Sequence, residues 1–259
     1  MADATPPVGS FKAGRVKVDG LRMISAQPIL DRSGKSRTDT NLRALIFDFD
    51  GLICDTEGCL VIAAREVFAA RGASLPMDRW LDTIGRHSER DVWVPWLEKA
   101  IGMTVDHDAV LAEFDAHNHA LIARLDANPG VRSLLDAADR RHIPVAVASS
   151  SPTDWVEPLL DQLGLRGRFV TVVCREHAPR AKPAPDLYLE ALQRLDVPAT
   201  SAVAFEDSYN GSLAAVAAGI ACVVVPNEIT ASQDFHHAEA VVESLADLDI
   251  DCIADLLQH

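Results

Sequence analysis

The stretch ALIFDFDGLICDTE, residues 44–57, passes from an apolar run directly into a cluster of acidic residues. Residues 44–47 have the character of a buried β-strand, yet Asp48 and Asp50 follow at once. Burying a charge without a partner is costly, and neighbouring carboxylates repel each other. Acids at the mouth of a hydrophobic strand therefore indicate that a positively charged group binds there.

Short apolar runs recur after this strand and alternate with helical stretches. We predict strands at 43–49, 145–148, 169–173, 202–205 and 221–225, and helices near 131–141, 152–163, 184–195 and 209–218. This alternation is typical of a Rossmann-like α/β core, a parallel sheet with helices on both faces. In such sheets ligands bind beyond the carboxyl ends of the strands, so residues at the strand ends are candidates for a functional site.

The interval 58–128 breaks this alternation. It holds four helix-like segments, at 58–72, 77–84, 88–101 and 107–125, which we expect to form an inserted α-helical cap. Asp55 and Glu57 are expected to be loop acids just before it. The turn signal Asn128-Pro129-Gly130 marks the return to a core made of residues 43–57 and 129–259. Residues 1–42 lack a sustained period and are predicted to be a mostly disordered extension.

Composition and charge exclude several classes of protein. The 259 residues carry a formal net charge of −14; residues 1–42 contribute +3, which leaves −17 for residues 43–259. This charge argues against nucleic acid and anionic membranes as partners. No apolar run approaches the roughly 20 residues that span a bilayer, and no secretory signal is recognised. Five scattered cysteines indicate reduced thiols, so we expect a cytoplasmic protein, with no oligomeric state predicted.

The residues at the predicted strand ends suit phosphate chemistry. They include carboxylates, hydroxyls and Lys182, one of only two lysines in residues 43–259. Mg²⁺ prefers oxygen ligands, and a lysine and a serine hydroxyl suit phosphate oxygens. A carboxylate such as Asp48 could attack phosphorus to give an aspartyl-phosphate. A second acid two residues on, Asp50, could protonate the leaving oxygen and later activate water.

Four segments resemble, in the correct order, the motifs of the haloacid dehalogenase-like hydrolase superfamily. They are DFDGLICDTE, AVASSS, KPAPDLYLEAL and AFEDSYNGSLAAVAAGI, and the resemblance covers residues 43 to 257. The most similar group is the helical-cap branch of phosphatases and β-phosphoglucomutase-like enzymes. The resemblance implies a phosphate-transferring enzyme that uses Mg²⁺.

The resemblance also implies a role for each matching residue. Asp48 would be the nucleophile and Asp50 the general acid and base. The metal ligands would be Asp48, Asp50 through its backbone carbonyl, and Asp207; Glu206 would bind the metal or hold a metal-bound water. The phosphate would be bound by Ser149, Ser150 and Lys182. In the cap segment GRHSERD, the residues expected to face the substrate are Arg86, Ser88 and Arg90.

Several reactions of the superfamily can be weighed against one another. Dehalogenases lack the second acid, so Asp50 argues against that chemistry, and Lys99 lies too late in the cap to serve a phosphonate-cleaving enzyme. We therefore predict hydrolysis of a small phosphorylated metabolite, such as a sugar phosphate. A β-phosphoglucomutase-like mutase is the alternative, although residues 85–90 and 151–153 depart from the mutase pattern. A receiver-like phosphoacceptor is disfavoured by the long insertion after the first strand.

Overall fold

A computed structural model describes residues 41–81 and 91–258. They contain a six-stranded sheet with the order β3-β2-β1-β4-β5-β6, in which every neighbouring pair is parallel. The strands are β1 (Ala44–Phe47), β2 (Val145–Ala148), β3 (Thr171–Val173), β4 (Ala202–Glu206), β5 (Ala221–Val224) and β6 (Ala240–Val241). The predicted Rossmann-like parallel sheet is confirmed. The prediction omitted β6, whose two residues are too few to show a period.

Nine α-helices lie within the described residues. They are α1 (Thr56–Ala69), α2 (Met77–Leu81), α3 (Val94–Ile101), α4 (His107–Ile122), α5 (Val131–Arg140), α6 (Thr153–Gln162), α7 (Asp186–Leu195), α8 (Tyr209–Ala217) and α9 (Ile250–Asp255). The sequence did not predict α9, and the others differ from their predicted bounds mainly at their ends. Arg86, Ser88 and Arg90 fall in residues 82–90, outside the described residues.

The two faces of the sheet carry side chains of different size, because alternate residues of a strand point to opposite faces. One face presents large residues, among them Leu45, Phe47 and Phe205, and packs against α5, α6 and α9. The other presents small residues, such as Ala44 and Ala204, and packs against α7 and α8. The small side chains let α7 and α8 approach the sheet closely.

The first four helices surround an apolar cluster of their own. It includes Phe68, Trp93 and Phe114, and the Trp93 ring lies 6.1 Å from that of Phe68 and 5.2 Å from that of Phe114. The division into a cap at 58–128 and a core stays a prediction. Helix α1 begins before the predicted boundary, because the side chain of Asp55 accepts a hydrogen bond from the Gly58 amide and caps it. Asp55 is thus a helix cap, and Glu57 lies in the first helical turn rather than in a loop.

The predicted return point is tied to the loop after β1. Asn128 donates side-chain hydrogen bonds to the carbonyls of Gly51 and Leu52, at 3.0 and 2.9 Å. Its amide donates to the carbonyl of Ile53 at 2.8 Å. The chain therefore leaves and rejoins the sheet region at neighbouring points.

The first described residues pack against the fold. Residues 1–40 of the predicted extension lie outside the described residues, but Leu42 is buried and Asn41 pairs with Ser201 at 2.9 Å. Within residues 41–81 and 91–258 no helix is long and apolar enough to cross a membrane.

Candidate active site

The predicted site residues of three strands meet at one edge of the sheet. Asp48 follows β1, Ser149 follows β2, and Asp207 follows β4, and all three side chains are buried. The amide of Asp48 donates to the carbonyl of Phe205 at 2.9 Å, which continues the pairing of β1 with β4 past the end of β1. The parallel arrangement thus places these residues side by side, although up to 159 positions separate them in the sequence.

Lys182 links two of the buried acids. Its Nζ donates to Asp48 Oδ1 and, at 2.6 Å, to Glu206 Oε1. The ammonium also lies 5.1 Å from the centre of the Tyr188 ring. Burial disfavours its charge, but Asp48 and Glu206 together raise the pKa of Lys182 above its usual value. This lysine is therefore held in its charged form among the acids.

Glu206 is completely buried and extensively hydrogen-bonded. Besides Lys182, it accepts a hydrogen bond from the hydroxyl of Tyr188 at 2.6 Å and weaker ones from the Asp207 amide and Ser208 Oγ. Burial and the nearby Glu206 carboxylate raise the pKa of Tyr188, so its phenol remains a donor. A buried carboxylate held in this way is fixed in orientation.

Three carboxylates form a cluster that could hold a metal ion. Asp48, Glu206 and Asp207 each offer an oxygen, and these oxygens lie within 4.8 Å of one another. With Lys182 charged, the ionised cluster has a net charge of −2, which one divalent cation would balance. Burial first, and then the neighbouring carboxylates, raise the pKa of both Asp48 and Asp207. An oxygen-rich, buried and strongly negative site fits a hard cation such as Mg²⁺.

Asp50 lies apart from the three clustered acids and has its own partners. Its Oδ1 accepts hydrogen bonds from Thr56 Oγ1 at 2.8 Å and from the indole nitrogen of Trp155 at 2.9 Å. Its Oδ2 accepts from Ser151 Oγ at 2.6 Å and lies 3.4 Å from Ser149 Oγ. The side chain of Asp50 thus faces the hydroxyls that follow β2, and any contribution to a metal would come from its backbone.

The two serines predicted to bind phosphate lie in different surroundings. Ser149 is buried, and its Oγ accepts the Ser151 amide at 3.0 Å while lying near Asp50. Ser150 is half-buried, and its Oγ accepts the Lys182 amide at 3.4 Å. Ser149 thus lies beside Asp50 and Ser150 beside the backbone of Lys182, and their contact with phosphate stays a prediction.

Several polar residues of the site were missed from the sequence. Asn227, just after β5, donates to Asp207 Oδ2 at 2.7 Å and so orients that carboxylate. Tyr188 lies within the third motif, where the resemblance implies a role for Lys182 alone. Asn227 could have been predicted, because it follows an apolar strand just as Asp48 and Asp207 do. Thr56 and Trp155 carry no comparable signal.

Glu57 brings a further carboxyl group toward the site. Burial raises its pKa to about 8, and Asp50 and Asp55 add to the effect. Glu57 in turn contributes to the raised pKa of Asp207. A carboxyl group with this pKa is largely protonated at neutral pH, so Glu57 adds negative charge beside Asp207 mainly at higher pH.

Two glycines let the backbone come close to the acids. At Gly51, where φ is +80°, an added Cβ would lie 2.2 Å from Asp207 Oδ2. At Gly211, in α8, it would lie 2.1 Å from both carboxylate oxygens of Glu206. A side chain at either position would displace an acid of the cluster.

Replacing Gly211 with Ala should therefore disturb Glu206 without straining the helix. We expect a loss of about 1–3 kcal/mol in unfolding free energy and weaker Mg²⁺ binding. Gly167→Ala is the matched control, because its Cβ would meet nothing within 4 Å, and it should stay within about 0.5 kcal/mol of wild type. Chemical denaturation and Mg²⁺ titration measure both effects. If the two variants had the same unfolding free energy and the same Mg²⁺ affinity, Gly211 would not lie against the Glu206 carboxylate.

The fold and site together define a class of protein. A parallel α/β sheet presents carboxylates, hydroxyls and a buried lysine at one edge, the place where enzymes of this architecture act on ligands. A family model described as "Haloacid dehalogenase-like hydrolase" matches residues 45–225. The chain belongs to the haloacid dehalogenase-like hydrolase family, as the sequence motifs predicted, and it is a phosphatase enzyme of that family.

Known proteins resemble this chain over most of their length. YhcW of Bacillus subtilis (strain 168) is 36% identical over 219 residues, which cover 83% of this chain and 98% of that protein. Hexitol phosphatase B of Escherichia coli (strain K12) is 30% identical over 222 residues, which cover 82% of this chain and 96% of that protein. A crystal structure of a CbbY mutant from Rhodobacter sphaeroides with xylulose-(1,5)-bisphosphate has a TM-score of 0.67 and 29% identity to this chain. The match covers 82% of this chain and 98% of the CbbY chain. Membership of a hydrolase family over residues 45–225 excludes the receiver-like alternative.

Proposed function

We propose that this protein is a Mg²⁺-dependent phosphomonoester hydrolase that acts on a small sugar phosphate through an aspartyl-phosphate at Asp48. The observation that carries the proposal is the buried cluster of Asp48, Glu206 and Asp207 around Lys182. The names of hexitol phosphatase B and of the CbbY complex support a phosphorylated sugar as the substrate.

Asp48 is the residue best placed for nucleophilic attack. It lies at the end of β1, it accepts a hydrogen bond from Lys182, and its backbone extends the pairing with β4. Attack of its carboxylate on phosphorus forms a P–O bond and breaks the ester bond of the substrate. Lys182 neutralises charge on the phosphoryl oxygens, and Ser149 donates a hydrogen bond to them.

Asp50 completes the reaction as general acid and then base. Its Oδ2 lies beside Ser149 and Ser151, on the side of the proposed phosphate position. In the first half-reaction it gives a proton to the leaving oxygen. In the second it takes a proton from the water that attacks phosphorus, which releases phosphate and regenerates Asp48.

The metal would be held by Asp48, Glu206 and Asp207, with Asn227 fixing the orientation of Asp207. Mg²⁺ bound there would supply positive charge that stabilises the phosphoryl oxygens. The raised pKa values of Asp48 and Asp207 mean that protons compete with the cation, so metal affinity should fall as the pH falls.

A phosphosugar mutase is the second candidate reaction. It shares the whole chemistry at Asp48 and differs in returning the phosphoryl group to a sugar instead of water. The candidates for holding a second phosphate, Arg86 and Arg90 of the predicted cap, fall outside the described residues. We place hydrolysis first because residues 151–153 depart from the mutase pattern.

Turnover of defined substrates tests the proposal and separates the two reactions. Phosphate release and sugar-phosphate isomers are measured on a panel of hexose, pentose and hexitol phosphates that includes both anomers of glucose 1-phosphate. We expect Mg²⁺-dependent phosphate release that EDTA abolishes. Formation of glucose 6-phosphate without phosphate release would assign the protein as a mutase, and activity insensitive to EDTA would remove the metal from the account.

The cytoplasmic location is also a proposal. All five cysteines are free, and four of them are buried. Free buried thiols are typical of a reducing compartment.

A further inference from the structure

One of the hydrogen-bond partners of the Asp50 side chain can only donate and never accept. The hydroxyls of Thr56 and Ser151 can donate or accept a hydrogen bond, but the indole nitrogen of Trp155 can only donate. It lies 2.9 Å from Asp50 Oδ1, within ordinary hydrogen-bonding distance. Oδ1 must therefore act as an acceptor toward Trp155 in both protonation states of the acid.

This constraint distinguishes the two oxygens of the carboxyl group. In a neutral carboxylic acid the carbonyl oxygen is the better acceptor, so a fixed N–H donor favours Oδ1 as the carbonyl oxygen. The proton then resides on Oδ2. That oxygen lies 2.6 Å from Ser151 Oγ and 3.4 Å from Ser149 Oγ, where the transferring phosphoryl group is proposed to bind.

We propose that Trp155 is a positioning residue, which holds Asp50 so that Oδ2 carries the proton delivered to the leaving oxygen. This inference rests on the proposed function, because it takes Asp50 as the general acid. Helix α6 begins at Thr153, soon after the serines that follow β2, so the indole is fixed to the same segment that lines the phosphate position. The half-buried ring of Trp155 also packs against the core on that face of the sheet.

In the first half-reaction the proton on Asp50 passes to the leaving oxygen of the sugar. Asp48 attacks phosphorus, the P–O bond to the sugar breaks, and the sugar oxygen takes the proton from Asp50 Oδ2. Asp50 is left as a carboxylate, with Oδ1 still bound to Trp155. Without the indole donor, the carboxyl group can rotate and place its proton on either oxygen, and a smaller fraction of encounters would be productive.

Leaving groups of different basicity reveal this role. An alkyl phosphate needs a proton on its leaving oxygen, whereas 2,4-dinitrophenyl phosphate releases a stable anion and does not. We measure kcat/KM, which reports only the steps up to leaving-group departure and excludes hydrolysis of the intermediate. For Trp155→Phe, which keeps an aromatic ring but lacks the N–H, we expect about 10- to 100-fold loss with the alkyl phosphate. With the aryl phosphate the loss should be less than about 3-fold.

Two reference variants make the result specific. Asp50→Asn should show the same contrast between substrates but larger, and Trp96→Phe, at another half-buried tryptophan, should show none. If Asp50→Asn shows the contrast and Trp155→Phe loses both activities equally, the positioning role is overturned while the proposed function stands. If Asp50→Asn itself shows no contrast, the general-acid assignment of the proposed function fails.

A spectroscopic measurement covers the case in which Trp155→Phe does not fold. The chain has four tryptophans, so an amide correlation spectrum of the ¹⁵N-labelled protein contains four indole N–H signals. We expect one of them to shift markedly in Asp50→Asn, because the amide that replaces the carboxylate is a weaker acceptor. If none of the four signals shifts, Trp155 does not donate to Asp50 and the inference is wrong.

Discussion

Asp48→Asn should lower kcat by at least about 10⁴-fold while the protein stays folded, because it removes the proposed nucleophile and retains the shape of the side chain. Asparagine keeps a carbonyl oxygen that accepts from Lys182 but cannot form the acyl phosphate. Substrate affinity should be retained, since the variant removes a negative charge near the phosphate position.

Turnover, substrate binding by calorimetry and thermal unfolding measure these three outcomes. Asp196→Asn is the matched control: Asp196 is exposed and in a left-handed conformation with φ of 55°, which asparagine also adopts readily. Its activity should equal that of wild type. If Asp48→Asn kept kcat within about tenfold of wild type, another group would have to be the nucleophile.

Lys182→Met should have the second large effect, on both stability and activity. It leaves the buried carboxylates of Asp48 and Glu206 without their shared ammonium, and breaking a buried ion pair in this way costs about 3–5 kcal/mol. In a metal-free protein this corresponds to a fall in Tm of about 6–20 °C. Turnover should fall by about 10³-fold, since the phosphoryl oxygens lose a fixed positive charge.

The stability loss should depend on pH in a defined direction. The folded-state pKa values of Asp48 and Asp207 lie above their unfolded values. Ionising these two acids therefore lowers the unfolding free energy of the protein as the pH rises from about 4 toward the folded pKa values. Removing Lys182 raises the folded values further and extends that loss. The Tm difference from wild type should therefore be larger at pH 8 than at pH 5.

Lys99→Met supplies the control for this experiment. Lys99 is exposed on α3 and is the other lysine of residues 43–259, and its loss should change stability by less than about 0.5 kcal/mol. Thermal unfolding in EDTA at the two pH values gives the comparison. Equal Tm values for Lys182→Met and Lys99→Met would show that Lys182 does not stabilise the buried acids of the site.

The convergence of the site was predictable because it follows from the parallel sheet. Once the strands were recognised, Asp48, Ser149 and Asp207 had to meet at one edge, and the structure places them there. The same reasoning applies to Asn227, which follows the predicted strand 221–225. The predicted grouping of Asp48 with Asp207 agrees with the cluster, which also includes Glu206.

The partners of the site residues were harder to predict. Trp155 lies 105 positions from Asp50, and its side chain reaches that acid only because α6 begins close to the end of β2. A tryptophan in an amphipathic helix gives no sign that it bonds to a carboxylate rather than packing in the core. Likewise, the start of α1 could be predicted only by recognising Asp55 as a helix cap. In the sequence, an acid that caps a helix looks the same as an acid in a loop.

The most direct test of the account is to trap the intermediate on Asp48. Asp50→Asn is mixed with 2,4-dinitrophenyl phosphate and Mg²⁺, because this substrate still phosphorylates the enzyme while the missing base slows hydrolysis of the intermediate. After acid quenching, borohydride reduces any acyl phosphate to the alcohol, and peptide mass spectrometry locates the change. We predict modification at Asp48, within the tryptic peptide 44–65, and none in the Asp48→Asn, Asp50→Asn double variant. Modification of another acid, or release of dinitrophenol with no trapped acyl phosphate, would contradict the account.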